Sequence, residues 1–153
     1  METRNMKQSS NRKIAEILLV EDNPGDVRLM KEAFRETKVE KNLTVINDGV
    51  KALSFLKKQL PYQNATRPDM ILLDLNLPKK HGQEVLQEIK SDPNLRRIPV
   101  VILTTSKAEQ DILKTYDLHA NCYISKPVDL EKYIKVIRTI EDFWLTIVNL
   151  PSK

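Results

Sequence analysis

The chain has 153 residues, of which 41% are hydrophobic and 30% are charged, as in a single globular domain with one core. Its apolar runs are too short to cross a bilayer, and its single cysteine, Cys122, excludes an intrachain disulfide, so we expect a cytoplasmic protein without a membrane contact. The net charge of +4 comes from Lys and Arg spread along the chain without a concentrated basic element, which argues against direct nucleic-acid binding.

Five short apolar runs predict five β-strands. The first, third and fourth runs are continuously apolar, as expected for central strands that are covered on both faces. The second and fifth are weaker, which favours less buried or edge positions. The runs occupy residues 17–20, 43–46, 70–73, 100–103 and 122–124.

Apolar residues recur at helical spacing between and after these runs. Asn23 and Pro24 mark the start of the first helix, and Asp92 with Pro93 marks the end of the third. This alternation of strand and helix predicts an α/β fold with a doubly wound, five-stranded parallel sheet. The helical stripes are Val27, Met30 and Phe34; Val50, Leu53, Leu56 and Leu60; Val85, Leu86 and Ile89; Ile112, Leu113 and Tyr116; and Leu130, Tyr133, Ile134, Ile137 and Ile140.

Polar residues collect where the predicted strands end. Glu21 and Asp22 follow the first strand, and Asp74 ends the third. Ligands of open α/β sheets bind beyond the carboxyl ends of the strands, so this edge is the candidate site. Its other members are Asn76, two residues after Asp74, Thr104 at the end of the fourth strand, and Lys126 after the fifth.

The residue types at this edge predict metal-assisted phosphoryl transfer. Three carboxylates from two strand ends would repel one another without a cation, and Mg²⁺ prefers such oxygen ligands while keeping several waters. When an aspartate accepts a phosphoryl group, the metal, the Thr104 hydroxyl and the Lys126 ammonium can meet the new negative charge.

Each of these residues also has an ordinary structural explanation. Asp22 could cap the first helix, Thr104 could be a β-branched strand residue, and Lys126 could be a surface charge. We favour a site because all of them fall on one edge of the predicted sheet.

Together these residues resemble the receiver domains of bacterial response regulators. The resemblance runs from Ile14 to about Glu141 and rests on the segments ILLVED (17–22), ILLDLNLP (71–78), VILT (101–104) and YISKP (123–127). It implies a flavodoxin-like (βα)5 fold with strand order 2-1-3-4-5 and a single-domain response regulator that a sensor histidine kinase phosphorylates on Asp74. Such a protein is a self-phosphorylating and self-dephosphorylating switch, not an enzyme with other substrates.

The resemblance also implies a set of Mg²⁺ ligands. Asp22 would bind the ion directly and Glu21 largely through water. Asp74 and the backbone carbonyl of Asn76 would complete the ligands from the protein.

Conformational switching is implied for Thr104 and Tyr123. In the family, phosphorylation draws the threonine hydroxyl toward the phosphoryl group and turns the aromatic side chain inward. The Lys126–Pro127 peptide bond is expected to be cis, as is typical of the family.

A narrower resemblance, to the response regulators of bacterial and chiefly cyanobacterial phytochromes, covers nearly the whole chain. It rests on DLNLPKK (74–80), LTTS (103–106), DLHANCY (117–123) and IEDFWL (140–145). It implies a phytochrome kinase as phosphodonor, although similar receivers could serve other sensor kinases. Output would pass through dimerisation, a downstream protein or a histidine phosphotransfer protein.

The last helix is predicted to extend beyond the receiver core, because its apolar stripe continues through Phe143, Trp144, Ile147 and Val148. We expect a flexible segment at residues 1–13, a receiver domain at 14–141 and a homodimer contact at 142–153. A tail that folds back on its own domain is the alternative.

Two other functions fit the sequence less well. An inactive pseudo-receiver, acting as an interaction or dimerisation module, would not need the complete set of site residues. A dehalogenase-type phosphatase would carry a second Asp where this chain has Asn76. Residues given no role in the chemistry are His81, His119 and Cys122, together with Gly49 and Gly82, which are interpreted as turn and helix-start residues.

Overall fold

A computed structural model describes residues 14–37, 40–104, 122–125 and 129–148. Its centre is a five-stranded parallel sheet in the order β2-β1-β3-β4-β5, which confirms the predicted topology. The strands are β1 (Ala15–Val20), β2 (Lys41–Ile46), β3 (Met70–Asp74), β4 (Val100–Thr104) and β5 (Cys122–Ser125).

Burial of the strands follows their apolar content. Every residue of β3 is buried, and so are five of the six residues of β1. In the edge strand β2 only Ile46 is buried, which agrees with its weaker apolar run. The continuous apolar runs therefore identified strands that are covered on both faces.

Four helices lie in the described residues: α1 (Pro24–Arg35), α2 (Gly49–Leu56), α3 (Gly82–Ser91) and α4 (Leu130–Val148). Pro24 occupies the first turn of α1, and α3 ends before Asp92, as predicted. Asn23, not Asp22, caps α1: its side chain accepts a hydrogen bond from the Asp26 N–H at 3.1 Å. The carboxylate of Asp22 is therefore not used as the helix cap.

The predicted extent of the second helix was wrong at one end. Helix α2 ends at Leu56, and Leu60 is 78% exposed outside it. Lys58 has a φ of 57°, a left-handed conformation that reverses the chain after the helix. Leu60 keeps the helical spacing in sequence, but the backbone has already turned away.

The helices cover both faces of the sheet. Alternate residues of β1 point to opposite sides, so Leu18 packs in one core with Leu86 of α3, and Leu19 in the other with Tyr133 of α4. Helices α2 and α3 line the first core, while α1 and α4 line the second. This arrangement confirms the doubly wound architecture.

Helix α4 continues to Val148, as its apolar stripe predicts. Glu141 is buried on it, and its Oε2 atom accepts hydrogen bonds from Lys41 Nζ at 3.0 Å and Thr37 Oγ1 at 2.6 Å. This contact fixes α4 against the start of β2 and the chain after α1. The side chains of Phe143, Trp144, Ile147 and Val148 lie outside what the structure describes.

Several predictions fall on residues outside the described ranges. They are the segment 1–13, the helix carrying Ile112, Leu113 and Tyr116, the residue His119, the Lys126–Pro127 peptide and the end of the tail after residue 148. Within the described ranges, no helix combines the length and the apolar character needed to cross a membrane.

Candidate functional site

The register of two central strands brings the acidic residues together. Strands β1 and β3 pair in parallel with Val20 opposite Leu73. Glu21 and Asp22 follow Val20, and Asp74 follows Leu73, so all three leave the sheet at the same edge. The carboxylates meet because parallel strands end side by side.

The three carboxylates form a compact cluster. One oxygen atom each from Glu21, Asp22 and Asp74 lies within 4.8 Å of the others. Glu21 and Asp74 are only 1% and 2% exposed, whereas Asp22 is exposed. Three like charges at this spacing in a partly dry site favour a divalent cation with oxygen ligands, so the residues fit the predicted metal.

Local hydrogen bonds orient the two buried acids. Glu21 Oε2 accepts from the Asn23 N–H at 3.2 Å, and Asp74 Oδ1 accepts from the Asn76 N–H at 3.1 Å. Each bond closes a short turn after its strand, which holds the carboxylate beside the backbone that follows it.

The chain after Asp74 is held closely against helix α3. The Gly82 N–H donates to the Leu75 carbonyl at 3.1 Å, and the Leu75 N–H donates to the Leu103 carbonyl at 3.1 Å. A Cβ on Gly82 would lie 2.4 Å from the Asp74 carbonyl oxygen. Gly82 starts α3, as interpreted from the sequence, and its missing side chain lets the helix approach the acidic site.

Asp48 is a site-flanking residue that the sequence reasoning missed. It is 4% exposed, and its Oδ1 caps α2 by accepting from the Lys51 N–H at 2.7 Å. Its Oδ2 lies 3.9 Å from Lys79 Nζ, in the chain that follows Asp74. An Asp–Gly pair one residue after a predicted strand was the available signal, because Asp is a favoured helix cap.

Gly49 makes a second close approach to this chain segment. A Cβ on Gly49 would lie 2.3 Å from the Lys80 carbonyl oxygen and 2.8 Å from a methyl carbon of Val85. The segment 75–82 is therefore held between the first residues of α2 and α3. Its backbone has little room to move without displacing one of them.

The remaining predicted site residues are placed by the backbone alone or not described. Thr104 follows Leu103, the register partner of Asp74, and so ends β4 beside the acidic cluster. Tyr123 lies in β5 opposite Ile102. The side chains of Thr104 and Tyr123 and the whole of Lys126 lie outside the described structure, while Asn76 is exposed beside Asp74.

One ion pair links the chain after the site to α3. The Lys80 ammonium contacts the Glu88 carboxylate, and Lys57 Nζ lies 3.5 Å from the same carboxylate. Hydrogen bonding to Lys80 lowers the pKa of Glu88, and the reciprocal bond raises the pKa of Lys80. His81, which precedes α3, is exposed, consistent with the surface role predicted for it.

Comparison with known proteins gives a consistent family assignment. Residues 17–138 match the family model described as the response regulator receiver domain. The chain is 50% identical over 136 residues to the response regulator Rcp1 of Synechocystis sp., covering 89% of this chain and 92% of Rcp1. The structure also resembles the phosphorylated cyanobacterial phytochrome response regulator RcpA, with a TM-score of 0.81, 51% identity and coverage of 92% of this chain and 100% of RcpA.

Two similar structures contain a divalent metal. The Mn²⁺-bound form of Rcp1 matches with a TM-score of 0.78 and 49% identity, over 90% of this chain and 99% of that one. The receiver domain of the Pseudomonas aeruginosa sensor histidine kinase PA1611, with a magnesium ion in its active-site cleft, matches with a TM-score of 0.65 and 28% identity, over 83% and 97% of the two chains. Receiver domains thus bind divalent metal in their active sites.

Proposed function

Because the chain belongs to the response regulator receiver domain family, we propose that Asp74 accepts a phosphoryl group from a sensor histidine kinase in an Mg²⁺-dependent reaction. The observation that carries this proposal is the cluster of Glu21, Asp22 and Asp74 at the carboxyl edge of the sheet. Asp74 is buried at the end of the central strand β3, as Glu21 is after β1, and Asp22 is open to solvent, where a metal with bound waters can enter.

The transfer moves a phosphoryl group from a kinase histidine to an Asp74 carboxylate oxygen. The P–N bond breaks, the imidazole nitrogen keeps its electron pair, and a P–O bond forms on the carboxylate. Burial of Asp74 limits its access to water, and the hydrogen bond from the Asn76 N–H at 3.1 Å fixes one oxygen, which leaves the other for attack.

Glu21, Asp22, Asp74 and the Asn76 carbonyl are the proposed metal ligands. Bound Mg²⁺ would neutralise the carboxylates and the incoming phosphoryl charge. Glu21 is held by the Asn23 N–H at 3.2 Å, which suits a residue that acts through water. Thr104 and Lys126 are proposed to meet the other phosphoryl oxygens. The support is that Thr104 ends β4 and pairs with Ser125, the residue before Lys126 in the sequence.

The change that follows phosphorylation is proposed to involve Thr104 and Tyr123, with a cis Lys126–Pro127 peptide beside them. Thr104 and Tyr123 lie on the neighbouring strands β4 and β5, offset by two positions, because Ile102 pairs with Tyr123 and Thr104 with Ser125. A movement at the end of β4 can therefore reach β5 directly. Receiver domains generally act as such switches and not as enzymes.

The proposed phosphodonor is a phytochrome histidine kinase. The support is the similarity to Rcp1 and to RcpA, a cyanobacterial phytochrome response regulator, over about nine-tenths of the chain. The single cysteine, Cys122, supports a cytoplasmic location. Side-by-side transfer from a cyanobacterial phytochrome kinase and an unrelated sensor kinase would test this: equal rates with both would contradict a phytochrome preference.

We further propose a homodimer through the end of α4, with Phe143, Trp144, Ile147 and Val148 as contacts. The helix reaches Val148, while the receiver family match ends at residue 138. Light scattering before and after deletion of residues 142–153 tests this proposal. A dimer that persists unchanged after the deletion would show that this segment is not the dimer contact.

The decisive test of phosphorylation is intact mass after incubation with acetyl phosphate, with and without Mg²⁺. We expect one phosphoryl adduct in the unsubstituted chain with Mg²⁺ and none in Asp74→Asn. Asp69→Asn is the matched control, because Asp69 lies before the other end of β3 and accepts from the Glu16 N–H at 2.9 Å.

An inactive pseudo-receiver is the alternative, and a cognate kinase distinguishes it. Rapid hydrolysis could hide an adduct formed from acetyl phosphate, but transfer from a radiolabelled kinase would still consume the kinase label. If neither acetyl phosphate nor the kinase transfers a phosphoryl group to the chain, the pseudo-receiver function is favoured.

A further inference from the structure

A cleft lies at the end of the molecule opposite the acidic site. Its volume is about 290 Å³, and it is formed where α2 ends, just before β3 and just after α3. The strands are parallel, so their amino ends and these loops face away from the edge that carries Asp74. The lining residues are Leu56, Lys57, Lys58, Arg67, Asp92, Asn94 and Leu95.

The charge of this cleft is mainly positive. Lys58 and Arg67 have no acidic partner within the part of the chain that the structure describes, while Lys57 lies 3.5 Å from Glu88. Asp92 is the one carboxylate in the lining, and its Oδ1 already accepts from the Asn94 N–H at 2.7 Å. The cations therefore outnumber the carboxylate.

Arg67 is oriented by the opposite wall of the cleft. One of its terminal nitrogens donates to the Asn94 carbonyl oxygen, which links the chain before β3 to the chain after α3. A guanidinium has five N–H donors in a planar fork, so this bond leaves donors for a ligand. Such a fork matches the oxygen atoms of a phosphate group.

Lys58 occupies a position where glycine would be more stable. Its φ is 57°, and the Gln59 N–H donates to the Ser54 carbonyl at 2.9 Å while the Lys58 N–H donates to Phe55 at 3.2 Å. This is the Schellman pattern, whose left-handed residue is usually Gly because a Cβ is strained there. A lysine at this point places a cation at the cleft but lowers the stability of the fold.

We propose that this cleft binds a phosphate monoester, with Arg67 and Lys58 as the principal phosphate contacts. The volume is at the lower end of the range for small-molecule pockets, which suits one phosphate group and a small attached moiety. The site is distinct from the acidic cluster and does not depend on phosphorylation of Asp74.

The test is a titration of the ¹⁵N-labelled full chain, monitored by amide chemical shifts, with inorganic phosphate and with adenosine monophosphate. Metal is removed by EDTA, and chloride at equal ionic strength is the blank. We expect saturating shifts at residues 56–59, 67, 92, 94 and 95 with a Kd on the order of 1 mM. Tighter binding of the nucleotide would identify a phosphate ester as the ligand, and equal binding would identify the phosphate group alone.

Two variants separate binding from folding. Lys58→Gly should weaken phosphate binding about threefold while it preserves or raises Tm, because it removes the cation and relieves the left-handed backbone. Arg67→Gln should weaken binding about tenfold, as expected for a lost charge-assisted hydrogen bond. Lys31→Gln, an exposed substitution on α1, is the control and should leave the Kd unchanged.

Three results would overturn the proposal. They are shifts that chloride reproduces, shifts confined to the residues around Asp22 and Asp74, and binding of a tetraglutamate peptide as tight as that of phosphate. The last result would assign the cleft to an acidic protein surface.

Discussion

The α-carbon of Gly82 lies against the carbonyl oxygen of Asp74, so that a Cβ at residue 82 would be 2.4 Å from that oxygen and 2.6 Å from the α-carbon of Leu75. Both contacts are backbone atoms, which cannot rotate away as a side-chain end can. The start of α3 and the proposed phosphoacceptor are thus one rigid unit. A change in the position of either residue must displace the other.

Gly82→Ala is expected to destabilise the fold by about 1–3 kcal/mol, as overpacking in a dense interior does. It should also slow Asp74 phosphorylation, because the added methyl group would push against the Asp74 carbonyl and so displace this residue of the acidic site. Urea unfolding and the rate of adduct formation are the two measurements. Gly25→Ala is the matched control, since its Cβ meets only the Asn23 side-chain oxygen at 3.2 Å; equal losses in both variants would contradict the backbone contact.

Mg²⁺ is expected to raise the thermal stability of the chain through the acidic cluster. At a concentration about 100 times Kd, the gain for a ligand that binds only the folded state is about 2.7 kcal/mol. Asp22→Ala should abolish this gain, and without metal it should be as stable as the parent chain or more so, because it removes one of three clustered charges. Asp26→Ala, a first-turn acid of α1, is the control. An unchanged Mg²⁺ response in Asp22→Ala would exclude this carboxylate as a ligand.

Glu141→Gln is expected to destabilise the fold by about 1–3 kcal/mol, because it leaves Lys41 with a weaker partner in a largely buried place. The side chains of Lys41 and Glu141 are only 13% and 9% exposed, with their charged atoms 3.0 Å apart. A double-mutant cycle with Lys41→Met measures the coupling. Additive losses would mean that the pair does not fix α4 to the sheet.

The Lys80–Glu88 pair should give a stability difference that depends on pH. The Lys80 hydrogen bond lowers the pKa of Glu88 below 4.5 in the folded state, so this carboxylate stabilises the fold above that pH, and the benefit is lost as pH falls through the lower folded value. The pKa of Lys80 is raised above 10.5, so its contribution is present below that value and lost at higher pH.

The free energies of unfolding of the parent chain and Glu88→Gln, measured by thermal unfolding, should therefore differ by a constant amount between about pH 5 and pH 10. Below this range the two values should converge. The difference should be small, because the pair is partly exposed and screened by solvent. Glu36→Gln, an exposed carboxylate just after α1, is the control. A difference that grows toward acid pH would contradict the shifted pKa.

The sequence predicted the parallel sheet correctly because the central strands are apolar at every position and the helices have regular stripes. It was wrong about Leu60, since a stripe that keeps its spacing does not report where the backbone turns. It also left open whether Asp22 caps α1. The structure decides this, because the Asp26 N–H donates to the side chain of Asn23, the residue immediately before the helix.

What the sequence determined by itself is the set of chemical groups and the strand ends that carry them, because hydrophobic periodicity fixes the elements and parallel strands end together. The three-dimensional structure alone decided which groups become buried and which backbones touch. Asp48 becomes a buried cap facing Lys79, and Gly49 and Gly82 enclose the chain after Asp74. These relationships join residues that are distant in sequence, and only dense packing of helices on the sheet brings them into contact.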